Sequence, residues 1–490
     1  MKIISITLGG FKGINEKAVL PLAPITLFFG ANSTGKSTIL HGLLYLYEVL
    51  VNRNPDPEYS SLIGDKLYFG GFKNLVHGKD EAGVITLGLS LDMSEEGGAL
   101  DNYLTEAEEW MVEKYIQDYP EAIADTWGFE IEIAWSTFDK KPYIRKYSVD
   151  ANGELFCVIE RKSGGKISYI NYLKLIDSWV MPEAIESITQ YFGENWQAVP
   201  IHTYDHALPN YDKRLSLVSY PWDWSEIFPD HPLSAATFCE ASISQACLGP
   251  LQTLSKYLKN LFHIGPIRVV PGRCFVTQTT TSAARWYDGS GAWDRIAYGD
   301  DMGMLLNSIN AWFKQDFGFN SPYEFKVVTE GEENIPSKRV LIKQRDWGVF
   351  HSLNEVGVGI SQVVPFMAGV LKNEDCVLMC EQPELHIHPR WQLVLADMML
   401  SQINMGYEKL FLVETHSEHI MLRLLKRRRE TAENALDNNF LKCTVDEVQV
   451  IFCEQVDGRT RLLPIATTDE GEFDAPWPNG FFKERRDELI

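Results

Sequence analysis

Long apolar runs are the first thing missing from this 490-residue chain. No stretch reaches the roughly 18 residues that a membrane-spanning helix needs, so the sequence excludes a protein threaded through a bilayer on helices. Positive charge is scarce too: 45 Lys and Arg stand against 67 Asp and Glu, a net charge of −22. A surface of that sign does not coat nucleic acid unaided, so any DNA contact requires a local basic stripe. The eight cysteines are scattered and form no C-x-x-C pair, which points to reduced thiols and a cytoplasmic protein. Cys376 and Cys380 lie in an apolar stretch and read as small core residues. Heptad runs, internal repeats and low-complexity tracts are missing as well, which excludes a long coiled-coil arm. The opening MKIISITLGGF is too short and too broken by glycine for a signal peptide, and its alternation reads as a first strand.

What is present describes a folded chain. Apolar residues make up 45% and aromatics 12%, and the length suffices for one large core or two to three domains. ITLFFG (Ile25–Gly30) is a short run of the buried-strand type, and Leu40, Leu43, Leu44, Tyr47 and Val51 recur after it at helical spacing. GVITLGLSLDM, GFEIEIAWSTF, PYIRKYSVD and ELFCVIERK read as strands, with DANGEL as a hairpin signal between the last two. The stretches Gly98–Asp125 and Met181–Leu261 read as mainly helical or irregular insertions, and FHIGPIRVVPGRCF marks a return to the main body. From Met302 onward helices and strands alternate, an α/β layout. These readings divide the chain into a lobe at 1–175 with a short helical insert near 98–126, a helical insertion at 176–261, and a second lobe at 262–490.

The strongest chemical signal is GANSTGKST (Gly30–Thr38), which fits G-x-x-x-x-G-K-[ST] between a buried strand and a helix. Glycines at Gly30 and Gly35 let the backbone curl, so that N–H groups from Asn32, Ser33, Thr34, Lys36 and Thr38 can face phosphate oxygens at a helix start. Lys36 then reaches the β- and γ-phosphates, and the Ser37 hydroxyl is a magnesium ligand. A second element is CVLMCE (Cys376–Glu381): an apolar strand ending in an acid suits a magnesium-holding carboxylate placed beside the phosphate loop. Alone it is weak, because many buried strands end in an acid; paired with Gly30–Thr38 it is strong. A third is NEVGVGISQVVPFMAGVL (Asn354–Leu371), where Gly359, Ser361 and Gln362 open an apolar helix that reads either as a phosphate-holding start or as an ordinary capped helix. The fourth is KLFLVETHSEHI (Lys409–Ile420), another apolar strand, which places His416 at its polar end.

In this order the four resemble an ABC-type ATPase head: Gly30–Ser37 the Walker A loop, Gly357–Gln362 the signature motif, Cys376–Glu381 the Walker B strand, and His416 the switch histidine. EQPELHIHP, ETHSEH and the ending WPNGFFKERRDEL are similar to a branch of the OLD-like (overcoming lysogenisation defect) AAA-type ATPases of prokaryotes, relatives of the structural-maintenance-of-chromosomes heads. The resemblance spans about 1–95 and 262–490. It implies a P-loop NTPase α/β fold of ABC-head type with an antiparallel β subdomain, binding ATP and Mg²⁺. It implies a dimer or higher oligomer in which Ser361 of one copy meets the γ-phosphate held by Lys36 of another. No N-K-x-D motif directs the site to GTP.

In the usual ABC pattern the metal acid is followed by a catalytic Glu and then Pro. Here Glu381, Gln382 and Pro383 occupy those places. An amide can orient water but cannot take its proton, so the sequence predicts slow hydrolysis and a long-lived ATP-bound state. Glu384 reads equally as a substitute base or as a solvated turn residue, and His416 can position the water. His386 and His388 are too few ligands for a closed metal site and read as loop contacts across the dimer. Lys12 is a candidate near the phosphates or an exposed turn lysine, and Asn74 and His77 are candidates for the loop that senses Mg²⁺. RLLKRRRE (Arg423–Glu430) reads first as a solvated helix face and second as a grip on DNA or an acidic partner.

OLD proteins proper carry a TOPRIM nuclease after the head. The roughly 70 residues after His416 are too few for one and lack its carboxylate pattern. The resemblance therefore implies a regulatory ATPase of bacterial anti-phage defence, of the two-gene PARIS kind, which holds a separately encoded effector such as a TOPRIM-type nuclease and releases it on sensing a phage protein. The runner-up is a DNA-repair or DNA-clamping ATPase of the structural-maintenance-of-chromosomes type. The ATPase half of a transporter is disfavoured by the large insertions.

Overall fold

The computed structural model describes residues 1–59, 69–94, 103, 124–165, 167–173, 199–201, 206–217, 232–273, 277–278, 283–299, 303–330 and 337–478. The expected insert at 98–126 falls almost wholly outside them, as does the chain ending after Pro478. Two units organise the rest. Among the described residues, one comprises those of Met1–Leu20, His41–Tyr59 and 69–259; the other comprises those of Pro21–Leu40 and 260–478.

The second unit is built on a six-stranded sheet. Its strands are β1 (Ile25–Gly30), β2 (Leu261–Ile264), β3 (Cys376–Glu381), β4 (Lys409–Glu414), β5 (Val448–Val456) and β6 (Arg459–Ile465). ITLFFG, CVLMCE and KLFLVE are buried at every position, as strands covered on both faces must be. The spatial order is β2-β3-β4-β1-β5-β6. All neighbours run parallel except β6, which returns antiparallel through a hairpin whose Asp457 and Gly458 take φ of 50° and 75°. This is a P-loop α/β fold, with the loop strand in the interior of the sheet.

One expectation needs correction. The strand Cys376–Glu381 does not lie beside the phosphate-loop strand: β4 stands between them, pairing Phe411–Glu414 with Ile25–Phe28 on one side and Lys409–Glu414 with Cys376–Glu381 on the other. Parallel neighbours are joined by long crossovers, so order along the chain does not dictate order in the sheet.

The helices used below are α1 (Lys36–Leu50), α2 (Val358–Val370), α3 (Pro389–Ile403) and α4 (Glu418–Ala432). Helix α2 is buried from Ile360 to Val370, which explains its apolar composition apart from Ser361 and Gln362. Helix α3 starts on Pro389, with the His388 ring accepting the Arg390 N–H; α4 starts on Ser417, whose hydroxyl accepts the Ile420 N–H. The basic run on α4 is a second correction: it is neither a fully solvated face nor an open stripe. Arg427 and Arg428 are buried, Arg427 on Asp397 and Glu430, and Arg428 on Thr467 and the carbonyls of Val445 and Val448.

Lys409, at the start of β4, is 4% exposed. Its Nζ donates to Val370 O at the end of α2 (3.0 Å), to Gln402 Oε1 (2.8 Å) and to Lys372 O. Burial lowers its pKa from 10.5 to about 8. Between those values the unfolded chain binds the proton and the folded chain does not, so folding becomes more favourable as pH rises. We expect the stability of the wild type relative to Lys409→Met to rise by up to ~1.4 kcal/mol per pH unit across about 8 to 10.5, read by urea denaturation at stepped pH. A difference that is flat in pH would mean that the ammonium keeps its proton.

The first unit holds an antiparallel β subdomain. Its sheet runs Ala18–Pro21, Lys2–Gly9, Val84–Asp92, Thr126–Ser136, Lys141–Ala151, Glu154–Glu160, Ser168–Leu173 and Val199–Ile201. Asn152 and Gly153, with φ of 50° and 77°, make the DANGEL hairpin. The Val199–Ile201 strand shows that part of the expected helical insertion extends the sheet, while Pro232–Leu258 forms a long helix. Tyr147 Oη donates to Cys247 O and ties that helix to the sheet. No helix among the described residues is long and apolar enough to cross a membrane.

Candidate functional site

The loop after β1 takes the shape that its glycines allow. Gly30 has φ of 148° and Gly35 has φ of 100°. A Cβ on Gly30 would lie 2.2 Å from Cys453 O, and one on Gly35 would lie 2.6 Å from the Thr460 hydroxyl. Ser33 adds a left-handed φ of 63°. Ala31, Asn32 and Ser33 are exposed at the bend, while the Thr34 hydroxyl is turned inward onto Ala31 O (2.8 Å). Thr38 N–H donates to Gly35 O at 3.0 Å, closing the first turn of α1. The loop thus ends at a helix start with Lys36 and Ser37 in its first turn, a ready anion site.

Lys36 is 4% exposed and folds back along the loop. Its Nζ donates to Gly30 O (3.1 Å) and Ala31 O (2.9 Å) and stands 3.8 Å from Glu414 Oε1. Burial lowers its pKa, and the nearby carboxylate of Glu414 works against that. The Ser37 hydroxyl donates to Glu414 Oε2 at 2.6 Å.

Glu414 is the functional residue that the sequence reading missed. It ends β4 in register with Phe28 on β1 and with Glu381 on β3, between the loop strand and the expected metal acid. Burial and the charges of Glu381 and Glu384 raise its pKa, opposed by the Ser37 hydrogen bond. The signal was present, because KLFLVE has the same form as CVLMCE.

The other acids have partners of their own. Glu381 Oε1 lies 2.9 Å from His263 Nε2, on the neighbouring strand β2. Glu384 accepts the Thr415 hydroxyl (2.8 Å) and the His416 N–H (2.7 Å), so it braces the end of β4; burial raises its pKa. His416 is half-buried, its Nε2 has no hydrogen-bond partner, and burial followed by the charge of Lys36 lowers its pKa. A neutral ring with a free nitrogen suits a hydrogen bond to an incoming group.

Gln382 sits in a left-handed backbone, φ 47°, just past β3. Its N–H donates to Glu414 O at 2.7 Å. Its carbonyl accepts from Arg268, a second residue that the sequence reading passed over. The Arg268 guanidinium is 3% exposed and also donates to Glu381 O (2.7 Å) and Gln362 O (3.1 Å), while the Gln362 amide returns a bond to Arg268 O (3.0 Å). One guanidinium therefore bolts the first turns of α2 to the Glu381–Gln382 turn.

Ser361 is placed differently from expectation. Helix α2 begins at Val358 with Gly357 as its cap, so Ser361 lies a turn inside it, fully buried, with its hydroxyl unpartnered. The groups exposed at the helix start are Gly357 and Val358, with Gly359 half-exposed. Lys12, Asn74 and His77 belong to the first unit, where Lys12 Nζ meets His41 Nδ1 (2.5 Å) and His77 Nδ1 meets Lys12 O (2.8 Å). Burial pushes the Cys376 and Cys380 thiols up to about 11 and about 12, as core residues require.

Among the described residues no group of three or more His, Cys, Asp and Glu is set to hold a metal by itself. The adjacent Ser37 hydroxyl and Glu414 carboxylate, with Glu381 one strand further, are hard oxygen donors that fit a magnesium ion completed by phosphate oxygens and water.

No protein-family model and no curated protein matches the chain. Among solved structures, the Smc head bound to the C-terminal winged-helix domain of ScpA is 13% identical, with a TM-score of 0.43, over 95% of this chain and 98% of that one. A Pyrococcus furiosus Smc head with an extended coiled coil, bound to the C-terminal domain of ScpA, is 12% identical, with a TM-score of 0.40, over 100% and 98%. The Thermotoga maritima SMC head domain is 10% identical, with a TM-score of 0.37, over 95% and 100%. The fold assignment rests on this chain's own strand order and loop.

Proposed function

We propose that the chain is an ATP-binding, slowly hydrolysing ATPase of ABC type that joins head to head with a second copy and regulates a separately encoded effector in anti-phage defence. The observation that carries the nucleotide reading is the placement of Lys36 and Ser37 at the C-terminal edge of the parallel sheet, with Glu414 and Glu381 ending the next two strands. In this reading Lys36 leaves the carbonyls of Gly30 and Ala31 for the phosphates. Ser37 and the neighbouring acids would hold magnesium, which when bound shields the phosphate charge. His416 offers its free Nε2 to the γ-phosphate. Gln382 orients water without accepting its proton, which favours a held ATP over a cycling motor.

The defence role is supported by the likeness of EQPELHIHP and ETHSEH to OLD-like ATPases. The net charge of −22 suits a protein partner better than DNA. The DNA-clamping alternative loses its main support, since Arg427 and Arg428 are spent in the core.

The test is equilibrium binding of a fluorescent ATP analogue to the purified chain. Lys36→Ala is expected to weaken it by about tenfold or more, because it removes the cation that meets the phosphates, and to abolish the biological effect. A wild type that binds no nucleotide, or a Lys36→Ala chain that keeps its effect, ends this reading.

A further inference from the structure

We propose that Glu414 gates the phosphate site: it holds Ser37 and faces Lys36, and so makes nucleotide binding depend on magnesium. This rests on the nucleotide reading above and adds to it a residue outside the Walker B strand. Three carboxylates lie at this edge of the sheet, and their contacts differ in kind. Glu381 meets His263 on β2, and Glu384 braces Thr415 and the His416 N–H. Glu414 alone of the three binds the two side chains that a magnesium nucleotide needs, accepting the Ser37 hydroxyl at 2.6 Å and facing Lys36 at 3.8 Å.

The position is fixed by the fold. Glu414 pairs with Phe28 on the loop strand, is 5% exposed, and its carbonyl accepts the Gln382 N–H. It can turn its side chain but cannot leave the site. A triphosphate entering without metal must displace a carboxylate from Lys36 and then sit beside it, so like charges oppose binding in a buried setting. A divalent cation removes that opposition, because the carboxylate then has a cation to face. The same acid thus excludes the bare nucleotide and accepts the metal-bound one.

The experiment is equilibrium binding of the fluorescent ATP analogue to the full chain, in magnesium and in EDTA, for wild type, Glu414→Gln and Glu381→Gln. The amide keeps an acceptor for Ser37 while removing the charge. We expect Glu414→Gln to bind in EDTA about tenfold or more tighter than wild type, and the ratio of EDTA to magnesium dissociation constants to fall by about as much. That result supports the proposal whatever Glu381→Gln does. A Glu414→Gln chain with the wild-type ratio overturns it. If Glu414→Gln does not fold by circular dichroism, Glu414→Asp serves: the charge withdraws by one methylene, so EDTA binding tightens, and unchanged binding overturns the proposal. A wild type silent in both buffers fails the nucleotide reading itself, a separate result.

Discussion

Gln382→Glu is expected to raise single-turnover ATP hydrolysis by about 10²–10⁴, the usual worth of a positioned general base. The backbone holds this position independently of the side chain: φ is 47°, the N–H is bonded to Glu414 O, and the carbonyl is bonded to Arg268. The substitution therefore changes the chemistry of the group and leaves the turn in place. A new carboxylate would join Glu381, Glu384 and Glu414 at one sheet edge, and like charges so placed push a carboxyl upward, toward the pKa that a base at neutral pH needs. Glu384 is the competing base. Its two oxygens already receive the Thr415 hydroxyl and the His416 N–H, so its replacement by Gln should disturb the placement of His416 before it disturbs proton transfer. Quench-flow with wild type, Gln382→Glu and Glu384→Gln decides between them. An unchanged rate in Gln382→Glu together with a lost rate in Glu384→Gln would move the base two residues along and make the protein a cycling enzyme.

How much of this was legible in the sequence follows from range. The phosphate loop is local: Gly30 and Gly35 are required by φ and by close approach to Cys453 and Thr460, and the buried strands announce themselves as continuous apolar runs. The order of strands is not local, so nothing in the sequence placed β4 between β1 and β3 or set Glu414 against Ser37, 377 positions away. His263 and Arg268 escaped for the same reason, since their partners at Glu381 and Gln382 lie over a hundred residues on. Helix α2 starts four residues before a Ser361 cap would place it, because Gly357 caps it without a side-chain bond, and Ser361, a better capping residue by type, lies inside.

The basic run of α4 shows the same limit energetically, and Arg427→Met is expected to cost about 3 kcal/mol at neutral pH, the scale of a buried charge left short of its partner. Arg427 is 2% exposed, bonds Asp397 Oδ1 at 2.8 Å and Glu430 at 2.5 Å, and stacks 3.3 Å from the centre of the Phe440 ring. Asp397 is buried and keeps only Arg423, at 3.2 Å, once Arg427 is gone. Burial already raises the Asp397 carboxyl above its ordinary range, with Arg427 pulling it down, so the variant raises it further. A raised acid favours folding in its protonated form, and the deficit should shrink as pH falls into the carboxylate range. Urea denaturation at pH values near 7 and near 5 reads both effects, and adding Asp397→Asn should recover part of the loss. A deficit below about 0.5 kcal/mol at neutral pH would mean that the pair contributes no more than a surface ion pair. The same arrangement governs how a DNA-binding role can be tested. A variant that neutralises Arg427 and Arg428 is expected to lose stability, so weak DNA binding by it would not report on a DNA contact. Lys426, 57% exposed, and the exposed Arg429 are the charges on this helix whose removal reports on a partner and leaves the core intact.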